Sequence, residues 1–356
     1  MTQIDLTGID IDITHPVLVT GATGYVAGWI VQGLLEAGAT VHAAVRSPDD
    51  AEKVAHLTAA AEAAPGTLKL FAGDLTEPGS YATAMAGCGV VFHTASPFVR
   101  KVEDPQRDLV DPAVGGTRDV LETANAVGTV TRVVVTSSCA AIYTDASECA
   151  AAPEGQLTED VWNSTASLDY EPYNLSKTEA EREAWRISDA QDRWRLVVIN
   201  PSLVIGPSLQ QAPTSESFAI VRQLIGGQMR LGAPRVALGV VDVRDLARAH
   251  LAAGFLSHAE GRHIVSGPGT NTLELGTTLR EHFGSALPLP RYAMPKWLLW
   301  LIAPLLGISR RYVEGNVGHA FAADNSKSKE RLGVTYRPMR GSLVEMVEQM
   351  LERDAS

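Results

Sequence analysis

The stretch from Val17 to Arg46, "VLVTGATGYVAGWIVQGLLEAGATVHAAVR", decides the fold of this chain. An apolar strand leads into a turn of small residues, then an amphipathic helix and a second apolar strand. Gly21 permits a tight turn, Gly24 lets the backbone approach a pyrophosphate, and Ala27 lets the helix pack on the strand. The start of the helix offers free N–H groups to phosphate. The predicted contacts with a bound dinucleotide are Thr20, Gly21, Gly24, Tyr25 and Val26.

Short apolar runs alternate with helical patterns up to about residue 200. They predict strands at residues 17–20, 40–45, 67–72, 90–95, 132–138 and 195–200. Because the runs are apolar throughout, they indicate a parallel sheet that is buried on both faces, with helices as right-handed crossovers. The predicted fold is therefore α/β, a doubly wound parallel sheet of the Rossmann type.

The pattern loosens after Pro201, where "PSLVIGP" is typical of a loop. Helical patterns follow near residues 216–227, 242–256 and 273–283, separated by glycine and proline turns. We predict a dinucleotide-binding domain over residues 1–205 and a smaller, mainly helical substrate-binding region over residues 206–356. A strand near residues 262–266 is expected to return to the sheet.

The formal net charge of −11 disfavours non-specific binding to nucleic acid or anionic lipid. The three cysteines, Cys88, Cys139 and Cys149, lack metal-ligand spacing and indicate reduced thiols in a cytoplasmic protein, with no metal site. The most apolar segment, Trp297 to Gly307, is shorter than the roughly 20 residues of a membrane span. We expect it to form a buried helix or a lid, with contact at a membrane surface as the alternative.

An arginine stands where the second strand ends. NAD-binding proteins place an acid there for the ribose 2′-hydroxyl, whereas an arginine accommodates the 2′-phosphate of NADP. Arg46 can fork onto phosphate oxygens and Lys53 can add a second charge, so we predict NADP(H) as the cofactor. The alternative is a solvated arginine, which Asp49 and Asp50 nearby favour slightly.

The turn after the third strand, "GDLTEPGS", offers two further candidates. Asp74 and Leu75 could contact the adenine, or the turn could simply cap a helix.

The fifth strand ends in "TSSCAAIY", and "YNLSKTEAEREAW" follows downstream. Tyr173 and Lys177 are four residues apart and share one face of a helix. A tyrosine alone is a poor acid near neutrality, with a pKa of about 10, and a neighbouring lysine cation is expected to lower that pKa. A serine hydroxyl can polarise a substrate carbonyl. These groups suit proton transfer beside a hydride donor.

The chain resembles the extended short-chain dehydrogenase/reductases, in the branch of dihydroflavonol reductases, cinnamoyl-CoA reductases and microbial aldehyde and ketone reductases. The stretches that carry the resemblance are "VLVTGATGYVAGWI", "VRSP", "GDL", "VFHTASP", "GTRDVLETA", "RVVVTSS", "YNLSKTEAE", "NPSLVIGP", "VDVRDLARAHLAA" and "KERLGVTYRPM". The resemblance implies a triad of Ser138, Tyr173 and Lys177, with Ser138 preferred to Ser137. It also implies cofactor contacts by Ala95, Ser96, Lys177, Pro201 and Leu203.

Three departures from the family bear on the substrate and the proton path. The central-helix stretch "DPAVGGT" has Ala113 and Val114 and no asparagine for a proton relay. "EPYNLSK" replaces the "NWYCYGK" of plant cinnamoyl-CoA reductases. Tyr143, expected to contact substrate together with Ser138 and Tyr173, replaces the asparagine of dihydroflavonol reductases.

The expected function is NADPH-dependent reduction of an apolar or aromatic aldehyde or ketone, a small-molecule substrate. The alternatives are a nucleotide-sugar epimerase or hydroxysteroid dehydrogenase of the same family, and a non-catalytic NADP-binding regulator. Arg46 disfavours the epimerase, and the Tyr173–Lys177 pair disfavours the regulator. The expected oligomeric state is a monomer or a homodimer.

Overall fold

The central sheet consists of seven parallel strands in the order β3-β2-β1-β4-β5-β6-β9. The structure is a computed structural model that describes residues 4–97, 102–211, 213 and 215–355. The strands of this sheet are β1 (Val17–Thr20), β2 (Thr40–Val45), β3 (Thr67–Ala72), β4 (Val90–His93), β5 (Arg132–Thr136), β6 (Arg195–Pro201) and β9 (Gly261–Val265). The predicted doubly wound α/β fold is confirmed.

A small second sheet, in the order β10-β8-β7, lies beside the main one. Its strands are β7 (Leu203–Ile205), β8 (Ala237–Asp242) and β10 (Gly269–Asn271). The helices of the chain are α1 (Tyr25–Glu36), α2 (Ala51–Glu62), α3 (Ala82–Met85), α4 (Asp111–Ala126), α5 (Ser147–Ala151), α6 (Pro172–Ser188), α7 (Glu216–Ile225), α8 (Val243–Phe255), α9 (Thr272–Phe283), α10 (Lys296–Ile302), α11 (Arg310–Asn316), α12 (Ser326–Leu332) and α13 (Met339–Ala355).

The core has a layer on each face of the main sheet. Because successive side chains of a strand point to opposite faces, Val17 and Val19 of β1 join one hydrophobic cluster and Leu18 joins the other. The first cluster contains buried residues of α1 and α8, and the second contains those of α4 and α6. The four residues of β1 are all buried, as the uninterrupted apolar run predicts.

The strand order reverses at β1, which pairs with β2 on one side and β4 on the other. In open α/β sheets the ligand crevice lies beyond the carboxyl ends of the strands at this point. The loops after Thr20 and His93, where β1 and β4 end, therefore form the two walls of the crevice.

The sequence patterns misjudge three segments. β3 is the edge of the sheet, so its residues alternate between exposed and partly buried instead of being buried on both faces. Leu203–Ile205, predicted as loop, forms β7 because it pairs in parallel with β8. The segment 297–307 forms α10 and a 3₁₀ turn, but Trp297 and Leu305 are exposed rather than buried. Within the described residues no helix is long and apolar enough to cross a membrane.

Candidate active site

The glycine loop has the shape needed to receive a pyrophosphate. Gly21 has a φ of +61°, and a Cβ there would lie 2.9 Å from the Cα of Ala95. Gly24 caps α1 with extended backbone, and no side chain caps the first turn of that helix. The first turn also lacks an acidic residue that would repel phosphate. The loop therefore fits the dinucleotide that the sequence predicts.

Two loop residues turn their side chains away from the crevice. The Thr20 hydroxyl bonds His93 Nδ1 at 2.9 Å and accepts the N–H of Ala95 at 3.2 Å, so it ties β1 to the loop after β4. The Tyr25 hydroxyl donates to the carbonyl of Gly206 at 2.6 Å. A cofactor contact by Tyr25 would therefore have to involve its backbone. Val26, the next predicted contact, is partly buried.

Arg46 lies at the end of β2 with an exposed side chain. It is near enough to Asp74 to lower the pKa of that carboxyl, although the hydrogen bonds from Thr76 lower it more. Lys53 instead makes an ion pair of 2.8 Å with Asp50, the N-cap residue of α2. Arg46 is thus more available than Lys53 for a 2′-phosphate.

Asp74 and Leu75 form a tight turn after β3. Asp74 Oδ1 accepts the backbone N–H of Thr76 at 2.8 Å and its hydroxyl at 2.7 Å. Leu75 packs so closely on α4 that a Cβ at Gly116 would fall 2.2 Å from its Cγ. Asp74 therefore holds its own turn, and Leu75 fixes that turn to α4.

Ser138 and Tyr173 come together at the carboxyl end of β5. Ser138 has extended backbone after the strand, and its hydroxyl accepts the N–H of Ala140 at 3.1 Å. Burial and the negative charge of Glu216 raise the pKa of Tyr173 to about 12, although a hydrogen bond with Ser138 opposes that shift. Although Tyr173 is 41% exposed as a residue, its hydroxyl is desolvated.

Lys177 lies one turn along α6 from Tyr173. Its Nζ donates to Ser96 Oγ at 3.0 Å and lies 5.8 Å from the centre of the Tyr173 ring. Burial lowers the pKa of Lys177 to about 8, while the charge of Glu181 opposes that shift. The pKa of Tyr173 is thus raised, not lowered as the neighbouring Lys177 led us to expect, because burial of the phenol and the charge of Glu216 dominate.

A buried polar network below the site was not anticipated from the sequence. Glu181, one turn beyond Lys177, accepts from Ser137 Oγ at 2.5 Å, from Asn200 Nδ2 at 2.7 Å and from Arg262 Nε at 2.6 Å. The spacing of Lys177 and Glu181 on α6 is the signal that was missed. The network commits the hydroxyl of Ser137 to the interior and leaves Ser138 facing Tyr173.

A small cavity of about 20 Å³ lies beside Lys177 and Glu181. Ala113 of α4, which stands where the sequence lacks an asparagine for a proton relay, lines this cavity together with Thr117, one turn further on. A volume of roughly this size holds one water molecule. With alanine instead of asparagine at position 113, the cavity next to Lys177 is large enough for a water molecule.

The remaining predicted residues follow the carboxyl-terminal ends of β5 and β6. Pro201 ends β6 and Leu203 begins β7. Tyr143 is mostly buried, with its ring centre 5.5 Å from that of Phe321, and burial raises its pKa well above the ordinary value. Glu216, at the start of α7, acts on the hydroxyl of Tyr173, so the C-terminal part reaches the proposed triad.

Residues 17–266 match the NAD dependent epimerase/dehydratase family. The chain belongs to this family. It is an oxidoreductase among the extended short-chain dehydrogenase/reductases, as the sequence resemblance predicts. It is 35% identical over 345 residues to cinnamoyl-CoA reductase CAD2 of Medicago truncatula, with 96% of this chain and 97% of that relative covered. It is 38% identical over 273 residues to tetraketide alpha-pyrone reductase 2 of Arabidopsis thaliana, with 75% of this chain and 82% of that relative covered.

Solved structures show the same architecture. Gre2 of Candida albicans, in complex with NADPH, has a TM-score of 0.76 and 27% identity, covering 95% of this chain and 99% of that one. The yeast methylglyoxal/isovaleraldehyde reductase Gre2, complexed with NADPH, has a TM-score of 0.75 and 26% identity, covering 96% and 99%. The prediction of NADP(H) for this oxidoreductase agrees with both structures.

Proposed function

We propose that this oxidoreductase uses NADPH to reduce an apolar or aromatic aldehyde or ketone to the alcohol. The observation that carries the proposal is the hydrogen-bonded pair of Ser138 and Tyr173, with Lys177 one turn away, beside the glycine loop. The NADPH complexes of the related Gre2 structures support the choice of cofactor. Arg46, free of side-chain partners within the described residues, is the group that would bind its 2′-phosphate.

In this mechanism each residue of the triad has one task. Held by the glycine loop and Lys177, NADPH would supply the hydride for the carbonyl carbon. The Ser138 hydroxyl donates a hydrogen bond to the carbonyl oxygen and polarises it. Tyr173, which keeps its proton at neutral pH because its pKa is about 12, transfers that proton to the same oxygen. The carbonyl would gain hydride and proton to become the alcohol, with NADP⁺ as the other product, and Tyr173 would then take a proton from solvent.

Lys177 would contact the cofactor on one side and influence Tyr173 on the other. Its ammonium would bind the ribose hydroxyls of the nicotinamide and favour the phenolate left on Tyr173 after proton transfer. Ser96 holds the ammonium at 3.0 Å on the side of the glycine loop. Water in the cavity beside Lys177 could return a proton from solvent, since Ala113 leaves that space open.

The preference for a neutral substrate is supported by the charge of Glu216 near Tyr173. Glu216 is close enough to Tyr173 to raise the pKa of its hydroxyl. A carboxylate this close to the proposed reacting centre disfavours an anionic group next to the carbonyl, although one relative is named a cinnamoyl-CoA reductase.

A substrate panel with NADPH tests the proposal. Aromatic aldehydes, aryl ketones and dicarbonyls should give higher kcat/KM than dihydroflavonols and cinnamoyl-CoA esters. A prochiral ketone should give one alcohol enantiomer in large excess, because the fixed site exposes one face to hydride. Preference for the CoA esters or dihydroflavonols would overturn the interpretation of "EPYNLSK" and of Tyr143. Binding of NADPH without turnover of any carbonyl would favour the regulator alternative.

A further inference from the structure

The segment Trp297–Gly307 presents apolar side chains on two opposite sides. On the inner side, Leu299 and Ala303 are buried in a small cluster with Val313 of α11. The outer side is formed by exposed residues, with exposed fractions of 68% at Trp297, 57% at Leu301, 87% at Leu305 and 56% at Leu306. Trp297 and Leu301 lie one turn apart on α10 and share a face, and Leu305 and Leu306 follow in the 3₁₀ turn. We call these four residues the outer face.

The outer face is more apolar than folding requires. Packing of the helix onto the protein uses the inner side, and the four outer residues leave large hydrophobic surface in water. Single exposed hydrophobic residues are ordinary, but a contiguous group marks a surface that binds a partner or a membrane. We therefore expect the outer face to bind an apolar surface.

The charges around this segment are unlike those of the rest of the chain. From residue 282 to residue 313 there are four cations, Arg291, Lys296, Arg310 and Arg311, and no acidic residue, although the whole chain has a net charge of −11. Lys296 directly precedes Trp297, and the Arg310 guanidinium stacks 4.1 Å from the centre of the Trp300 ring. Glu314, the next acid along the chain, accepts the Trp300 indole N–H at 2.8 Å.

We propose that the outer face docks on the surface of a bilayer that contains anionic phospholipids. Tryptophan and leucine side chains insert at the boundary of headgroups and acyl chains, while flanking lysine and arginine side chains meet the phosphates. Screening at physiological salt limits electrostatic reach to about 8 Å, so the acids elsewhere in the chain count for little here. Lys296 and Arg310 outnumber the one adjacent acid, Glu314, while Arg311 stacks on the Tyr170 ring at 3.7 Å. A second copy of the chain is disfavoured, because a two-fold contact would bring both sets of cations together.

Vesicle co-sedimentation of the full chain tests this proposal. The protein should pellet with phosphatidylcholine vesicles containing about 30% phosphatidylserine, much less with phosphatidylcholine alone, and less again in about 0.5 M salt. Leu301→Glu and Leu305→Glu should each lower the partition coefficient by about tenfold or more, since each removes an inserted side chain. Arg310→Glu should weaken binding only to the anionic vesicles. The control is Ile13→Glu, which replaces another exposed residue (55%) ahead of β1.

Three results would overturn the proposal. One is binding that Leu305→Glu and Ile13→Glu affect equally. The second is a homodimer, seen by analytical ultracentrifugation without vesicles, that Leu305→Glu dissociates. The third is a wild-type protein that does not bind lipid, combined with a changed KM for a small carbonyl in Leu301→Glu. That result would make the outer face part of the substrate cleft. Unchanged far-UV circular dichroism and melting temperature show that each variant is folded.

Discussion

Arg262 and Glu181 form a buried ion pair in which the guanidinium Nε–H donates to Oε1 of the carboxylate over 2.6 Å. The guanidinium also donates to the carbonyls of Glu159 and Val161, and its centre stacks 4.0 Å from the centre of the Trp162 ring. The other carboxylate oxygen accepts from Ser137 and Asn200. The pair thus joins β9 to α6 and to the end of β5, directly beneath the proposed triad.

Glu181→Gln should destabilise the protein strongly. It leaves the Arg262 cation buried without its counter-charge, and loss of one partner of a buried pair costs about 3–5 kcal/mol. Urea unfolding measures the change in free energy of unfolding. The control is Glu281→Gln, which breaks an exposed pair with Arg340 and should cost about 1 kcal/mol or less. Similar small losses in both variants would contradict the structural importance of the buried pair.

Tyr173→Phe should abolish most turnover while NADPH binding is retained. The substitution removes the proton donor and little else, and loss of a general acid costs about 10²–10⁴ in rate. Steady-state reduction of an aromatic aldehyde gives kcat, and quenching of protein fluorescence gives the Kd for NADPH. Ser137→Ala is the comparison, because that hydroxyl bonds Glu181 rather than the substrate side. If Tyr173→Phe kept more than about a third of kcat, Tyr173 would not be the acid.

The pH profile of kcat/KM should fall on the alkaline side above about pH 8. This ratio reports ionisations of the free enzyme, and burial lowers the pKa of Lys177 to about 8. Lys177 therefore loses its charge above that pH, whereas Tyr173, with a pKa of about 12, keeps its proton. Reduction needs both protons in place, so activity declines as pH rises through the pKa of Lys177.

Ser96→Ala provides the matched variant for that profile. It removes the acceptor that holds the Lys177 ammonium at 3.0 Å. The charged form is then less stable, so the alkaline limb should move to lower pH. A limb that stays in place in Ser96→Ala would assign the ionisation to another group.

Arg46→Ala should weaken NADPH binding selectively. A hydrogen bond to a charged group contributes roughly 1.5–3 kcal/mol, which corresponds to a rise in KM for NADPH of about tenfold to a hundredfold. The KM for NADH should change little. Lys53→Ala, which breaks the pair with Asp50, should have the smaller effect of the two. Equal losses with NADPH and NADH in Arg46→Ala would assign Arg46 to support of the fold.

Sequence reasoning succeeded where local pattern and topology agree. The turn at Gly21, the strands from β1 to β6 and the shared face of Tyr173 and Lys177 all follow from short-range spacing. The network around Glu181 does not, because Arg262 lies 81 residues away and meets it only through the pairing of β9 with β6.

The pKa of Tyr173 and the exposure of segment 297–307 also could not be predicted from the sequence. The pKa of Tyr173 depends on desolvation and on Glu216, which approaches from α7, so the net lowering expected from Lys177 does not occur. The outer side of segment 297–307 shows the same limit. Its residues are as apolar as a buried helix, and only the packing of Leu299 on the inner side shows which half is left in water.

Gly21→Ala should lower the free energy of unfolding by more than its backbone conformation alone explains. An L-residue with positive φ costs about 1–2 kcal/mol, and Gly38→Ala isolates that cost, because Gly38 has a φ of +84° and a Cβ added there would meet no atom within 4 Å. At Gly21 the added Cβ would also lie 2.9 Å from the Cα of Ala95. The loop carrying Ala95 and Ser96 would have to move, and Lys177 with it. We therefore expect a larger loss of unfolding free energy in urea than for Gly38→Ala, with a Kd for NADPH raised about tenfold or more. Equal losses of stability and unchanged NADPH binding in the two variants would show that the contact between the loops after β1 and β4 does not shape the cofactor site.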